Sequence, residues 1–274
     1  MMARWHFRYA ASVYDRMKSE RPRLAEKLDS RIHLSEEEVQ GWRRAADLMY
    51  IPRHDELGIY AQDDSFPYLN PVDMSRVPKN TDIREQIHPL NLWRIQVAKQ
   101  ADIVLLLFVM GHLFSRDEKK RNYEFYERRT CHGSSLSAAI HSILASELGL
   151  DSEAYAYFRH AALLDLVDFK NNTGHGVHSA CMGGTWMAVV NGFAGMRDYP
   201  DGLRFDPRCP EQWQAYSFRI NYRGTVISVR IDPHQARFEL LEGECIDFRC
   251  GVRNVVLTRE IGRASCRERV CHRV

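Results

Sequence analysis

The feature that most constrains this chain is a change of hydrophobic period near Tyr199. Before it, apolar residues recur every three to four positions, as a helix face requires. After it, β-branched and aromatic residues crowd short segments separated by turn residues, as strands require. A helical body of about 198 residues followed by a small antiparallel β unit is the expected order. Helix pairs strung along a chain suit an α-toroid or an α-solenoid, but no fixed-period repeat supports the solenoid.

Ala10, Val13 and Met17 lie at helical spacing. Ser35 to Glu38 has the S-x-x-E form of a capping box, followed by Val39, Trp42, Ala46 and Met49 on one face. Ile51 to Pro89 is polar and holds five prolines, a length that in compact domains usually serves function. A helix is expected over about Leu92–Leu113, apolar nearly all round and therefore buried. Another runs Ser134–Leu148, with Leu136, Ile140, Ile143 and Leu144 on one side and Gly149 as its stop. Asp151 can cap the next helix, whose Ala154, Phe158, Ala161 and Leu164 face inward. In the helix Ser179–Gly195, Gly183 and Gly184 permit close helix approach. Strands are expected at Trp213–Ile220, Thr225–Ile231, Phe238–Leu241 and Cys245–Cys250, with a turn at Asn221–Gly224. The five tryptophans are expected mostly in the core.

Composition narrows the class. An apolar content of 45% can fill a sizeable core, so wholesale disorder is not expected. The longest apolar run, Ile103–Met110, falls short of the about 20 residues a membrane helix needs. MMARWHFRYA lacks a leader's apolar stretch, and the seven cysteines form no CxxC. A cytoplasmic protein with reduced thiols is expected. The last fourteen residues carry +3 and the other 260 carry −1, which predicts no nucleic-acid partner. Ile261–Val274 lacks apolar periodicity and has the character of adapter-derived read-through. Residues 259–274 are therefore expected to be a non-native basic tail outside the fold.

Three clusters could carry chemistry. Lys99 and Gln100 are polar where a helix pattern turns apolar; they are either a solvated helix end or donors to a hydroxyl-rich or anionic ligand. In Cys131-His132-Gly133-Ser134-Ser135-Leu136-Ser137, hydroxyls precede a helix, as in simple N-capping or in an anion site. Asn171-Asn172-Thr173-Gly174-His175-Gly176-Val177-His178 also precedes a helix; its glycines allow close backbone approach, and the alternative is a turn with a surface histidine. His175 and His178 lack the further ligands a metal would want. Asp63 and Asp64 are adjacent, so they point apart, and a loop structured by polar side chains fits them better than a catalytic pair.

Together Lys99-Gln100-Ala101-Asp102, His132-Gly133-Ser134-Ser135-Leu136-Ser137, Asn171-Asn172-Thr173 and Gly176-Val177-His178 resemble the signatures of glycoside hydrolase family 65. Gln62-Asp63-Asp64-Ser65-Phe66 and Gly192-Phe193-Ala194-Gly195-Met196-Arg197 fit the same resemblance, which covers Met1 to about Arg259 and looks most like kojibiose- and maltose-phosphorylase members. It implies a mainly α fold, the C-terminal part of an (α/α)6 barrel over 1–198, then a small antiparallel β-sheet domain over 199–258. It implies an inverting disaccharide phosphorylase, turning an α-glucosyl disaccharide and phosphate into β-glucose 1-phosphate and a free sugar. Ser134, Ser135, Gly176 and His178 match phosphate-binding positions, and Lys99 and Gln100 match substrate-binding ones. No metal, organic cofactor or membrane is implied, and a homodimer of the full-length protein is compatible with the family.

Two departures stand out. Members commonly carry Asp where Gly133 stands. The family's general acid is a glutamate expected upstream of Met1, so no catalytic residue is assigned within the chain, which is expected to be an inactive fragment with exposed apolar faces. The alternatives are an inverting α-glucoside hydrolase of the same family and a non-catalytic carbohydrate- or anion-binding module.

Overall fold

The computed structural model describes residues 1–72, 74, 83, 87–132, 134–168 and 173–266, except for the side chain of His175. The chain divides into two compact units, Met1–Asp64 and Ser65–Val274.

The first unit holds α1 (Met2–Glu20), α2 (Pro22–Ile32), α3 (Glu36–Leu48) and the short pair β1 (Arg53–His54) and β2 (Ile59–Tyr60). Ala11 and Tyr14 of α1 pack against Val39 of α3. Ser35 caps α3 by accepting from the Glu38 N–H at 3.1 Å. A full reciprocal capping box stands at Ser115 and Glu118.

The second unit begins with a helical layer: α4 (Pro89–Leu92), α5 (Asp102–Val109), α6 (Arg116–Glu127), α7 (Ser137–Leu148), α8 (Asp151–Leu163) and α9 (Ser179–Met187), the last widening into a π-helix over Ala188–Phe193. The single helix expected over Leu92–Leu113 is corrected to two helices with an extended stretch between them. Residues 93–101 are drawn out because their backbone groups find partners off the helix. The Gln96 N–H donates to Asn70 O at 2.8 Å, and the Ala98 N–H to Arg129 O at 2.9 Å. Tertiary pairing here overrides an apolar pattern.

Helix α7 is buried on nearly all sides, not one, and Leu136 ahead of it is 44% exposed. Its hydroxyls are satisfied by neighbouring helices: Ser142 Oγ donates to Ala154 O at 2.8 Å and Ser146 Oγ to Gly192 O at 3.0 Å. Gly149, with φ +81°, ends it as expected. Asp151 opens α8 as its first residue, without capping through its side chain.

The contacts fix helix directions. A Cβ on Gly184 would lie 2.9 Å from the Ala139 Cβ, and one on Gly192 would lie 3.4 Å from the Ile143 Cα. Numbers rise together along α7 and α9, so these helices run parallel. Along α8 the order reverses: Ala154 meets Ser142, while the Ala161 carbonyl accepts from the Cys181 thiol at the start of α9. The N-termini of α7 and α9 and the C-terminus of α8 therefore share one end. Gly184 is needed for this approach; Gly183 faces open space.

The strands form two four-stranded sheets: β5 (Tyr216–Tyr222), β6 (Thr225–Asp232), β7 (Gln235–Glu242) and β10 (Arg263–Cys266) in one, and β3 (Arg197–Tyr199), β4 (Gly202–Phe205), β8 (Cys245–Cys250) and β9 (Arg253–Thr258) in the other. All pairings are antiparallel except β4 with β8. The inner faces meet around Phe205, Phe238 and Phe248, whose rings lie 4.7–5.4 Å apart. Val190 of the π-helix and Ala194 just after it enter the same core, so the expected boundary at 198/199 is bridged by continuous packing.

Two further expectations change. Arg263–Cys266, placed outside the fold, pairs with β7 from Arg263↔Glu239 to Cys266↔Ala236. A sheet edge is completed by backbone groups alone, so this pairing needs no apolar periodicity. Residues 267–274 lie outside the described set. Among the tryptophans, Trp5, Trp93 and Trp186 are exposed, because helical spacing says which face a residue occupies, not whether that face is covered.

Candidate functional site

The extended stretch lies against the serine loop, and the helix directions put the loop before α9 at the same end of the helical layer. The Cys131 N–H donates to Ala98 O at 2.9 Å, and its thiol reaches the Lys99 carbonyl at 3.6 Å. Lys99 is exposed, and Gln100 donates to Asp102 Oδ1 at 3.1 Å. Lys99 and Gln100 thus stand in a bend beside the serine loop, just ahead of α5, not within the helix expected for them.

Within that loop the hydroxyls have different neighbours. Ser134 Oγ accepts from the Leu136 N–H at 3.3 Å, a local turn contact. Ser135 is half-buried. Ser137 is the first helical residue and is fully buried. Gly133 lies outside the described residues, as do Asn171 and Asn172.

Gly176 has φ +94° with open space beside its α carbon, so its glycine serves backbone conformation and access. His178 is held twice by Asp165: its ring Nδ1 lies 2.6 Å from Oδ1, and its backbone N–H donates to Oδ2 at 2.9 Å. Those hydrogen bonds hold the Asp165 carboxyl below its usual range. A carboxylate at Nδ1 fixes the imidazole and leaves Nε2 for a different partner.

Behind the loop lies a polar layer that sequence reasoning missed. His132 contacts Ser137 through Nδ1 at 3.0 Å and Tyr157 through Nε2 at 3.1 Å. The Tyr157 hydroxyl donates to Glu127 Oε1 at 3.0 Å. The fully buried His141 contacts the Ser137 carbonyl through Nδ1 at 3.0 Å, and burial lowers its pKa to about 4. Burial pushes the Tyr157 phenol up. Tyr157 sits 25 positions from His132 and 30 from Glu127 in the chain, so spacing carries no signal for it. Asp165, 13 residues before His178, was hidden for the same reason.

A cavity of about 530 Å³ lies at the opposite end of α7, lined by Lys119, Glu147, Arg197, Tyr199 and Arg204 among others. Its main charges are paired, while Arg197 Nε and the Tyr199 hydroxyl are buried without a hydrogen-bond partner among the described residues. Glu147 pairs with Lys119 and, at 2.7 Å, with Arg197; Arg204 pairs with Asp201 at 2.5 Å. Burial pushes the Glu147 carboxyl up, but Arg197 and Lys119 override it and hold the group below its usual range. The Lys99, serine and His178 clusters do not line this cavity, whereas Gly192, Gly195 and Arg197 do.

Comparison with known proteins gives two family matches. Residues 1–187 match the glycosyl hydrolase family 65 central catalytic domain, and residues 196–257 match the family's C-terminal domain. An α,α-trehalose phosphorylase of Thermoanaerobacter brockii is 44% identical over 90% of this chain and 32% of its own length. A maltose phosphorylase of Bacillus subtilis is 35% identical over 94% of this chain and 33% of its own length. A solved structure described as a kojibiose phosphorylase from the human microbiome superposes with a TM-score of 0.86 at 26% identity, covering 97% of this chain and 36% of the other. The chain spans about a third of the length of these relatives.

Proposed function

This chain belongs to glycosyl hydrolase family 65 and carries part of an (α/α)6 barrel followed by a β domain, and from that membership we propose that it is the phosphate-binding portion of an inverting disaccharide phosphorylase. The observation that carries the reading is the parallel packing of α7 and α9, which sets the serine loop and the His178 loop at one end of the helical layer.

In an inverting glycosidase, an acid protonates the leaving oxygen and a base activates water on the opposite face of the sugar. Phosphate is already an anionic nucleophile and needs positioning in place of a base. Ser134 and Ser135 supply hydroxyls, the N-terminus of α7 supplies the positive end of its dipole, Gly176 supplies open backbone, and His178 supplies Nε2. Lys99 and Gln100, beside Cys131, hold hydroxyls of the glucosyl unit. The products are β-glucose 1-phosphate and a free sugar. The reading calls for no metal or organic cofactor, assigns no general acid within this chain, and places the protein in the cytoplasm. Trehalose, maltose and kojibiose are its candidate disaccharides, each named for a relative.

Calorimetric titration of the chain with inorganic phosphate tests the proposal. Saturable binding that is weakened on the order of tenfold in both S135A and H178A is expected. Wild-type-like affinity in both variants removes the site. Phosphorolysis of any of the three disaccharides by the 274-residue chain overturns the reading that assigns no general acid among its residues.

A further inference from the structure

We infer that His132 is a positioning residue, the centre of a one-way hydrogen-bond relay, Ser137 to His132 to Tyr157 to Glu127, that commits the Ser137 hydroxyl inward and holds the preceding serines in place for the anion. The inference rests on the phosphate reading above for its consequence, but not for its geometry.

The direction follows from counting protons. Tyr157 has one, and its oxygen lies 3.0 Å from Glu127 Oε1 and 3.1 Å from His132 Nε2. A carboxylate only accepts, so the phenol proton goes to Glu127. His132 Nε2 must then carry a hydrogen and donate it to the phenol oxygen. In a neutral ring this leaves Nδ1 bare, so Ser137 Oγ, 3.0 Å away, must donate to it. Each group thereby fixes the next.

The backbone gives a second, independent sign of constraint. His132 has φ +47°, a left-handed conformation that a non-glycine residue keeps only when its surroundings over-determine it. Here both ring nitrogens are engaged, the ring packs edge-on to His141 at 4.6 Å, and the neighbouring Cys131 is tied to Ala98 and Lys99. The sequence shows three serines around this helix start. The relay separates them: Ser137 anchors the loop, while Ser134 and Ser135 remain outside the relay.

Two variants and two readouts test this. Y157F keeps the ring packing and removes only the hydroxyl; S137A removes the anchor. Nitrogen-15 spectra of the imidazoles in the intact chain should show His132 protonated at Nε2 and bare at Nδ1, with that preference lost in Y157F. Affinity for inorganic phosphate should fall on the order of tenfold in both variants. If S137A weakens phosphate and Y157F does not, Ser137 is itself a ligand and the relay is wrong. A proton found on Nδ1 in the wild-type chain also overturns the relay, leaving the phosphate reading intact if phosphate still binds. The reverse result, the expected tautomer in a chain that binds no phosphate, overturns the functional reading and leaves the relay as a loop clamp.

Discussion

The two ends of α7, residues 137 and 148, meet different chemistry within one helix. At its C-terminal end Glu147 is clamped between two nearly buried cations, Lys119 and Arg197, and the adjoining cavity is lined by charges that already have partners. At its N-terminal end the described polar groups are hydroxyls, imidazoles and turn backbone, and the pair Asp165 with His178 engages Nδ1 of the ring and not Nε2. A saturated charge cluster stabilises a joint, here where the helical layer meets the β strands. A ligand site needs donors held in place but not consumed.

The strongest way to break this contrast is to remove the clamp. E147A leaves Lys119 and Arg197 buried without a counter-charge and is expected to cost about 3–5 kcal/mol in chemical denaturation. The same carboxylate sets an acid limit. Its folded pKa is depressed, so its contribution is fully present above the ordinary value of 4.5 and is lost as pH falls through the lower folded value. Stability measured downward from pH 5 should show this loss, and E147Q should remove that component. An unchanged acid profile in E147Q shows that the clamp is not what the geometry says.

At the other end, G184A drives a methyl to 2.9 Å from the Ala139 Cβ and should cost about 1–3 kcal/mol by forcing the parallel helices apart. Phosphate affinity should fall with it. G176A, at φ +94°, should cost roughly 1 kcal/mol through backbone strain, with a larger relative effect on phosphate titration than on melting. The smallest effect has the opposite sign. Gly183 faces open space within a helix, so G183A should stabilise by about 0.5–1 kcal/mol and leave phosphate binding alone. Equal behaviour of G183A and G184A would show that the helices do not approach as described.

Much of this architecture is legible in local pattern. Ser35 is a cap, Gly149 is a stop, and the hairpin turn at residues 221–224 forms where Asn221 Oδ1 accepts from the Gly224 N–H at 3.1 Å. Those signals act over three or four residues, so the sequence displays them. Strands at Arg197–Tyr199, Gly202–Phe205 and Arg253–Thr258 escaped the same reading, being short or charged. The extended run at 93–101 escaped it because its partners, Asn70, Arg129 and Cys131, are remote.

The sequence by itself determined the order of helices and strands, the glycines at special positions, and which segments carry hydroxyls, imidazoles and a lysine ahead of helix starts. Only the tertiary structure decided that α7 and α9 run parallel, that Asp165 backs His178, and that one of three serines is turned inward by a histidine reaching a tyrosine on another helix. Periodicity and capping are set by neighbours a turn away. Hydrogen-bond direction depends on which groups are brought within about 3 Å, and that is fixed by packing between helices distant in the chain.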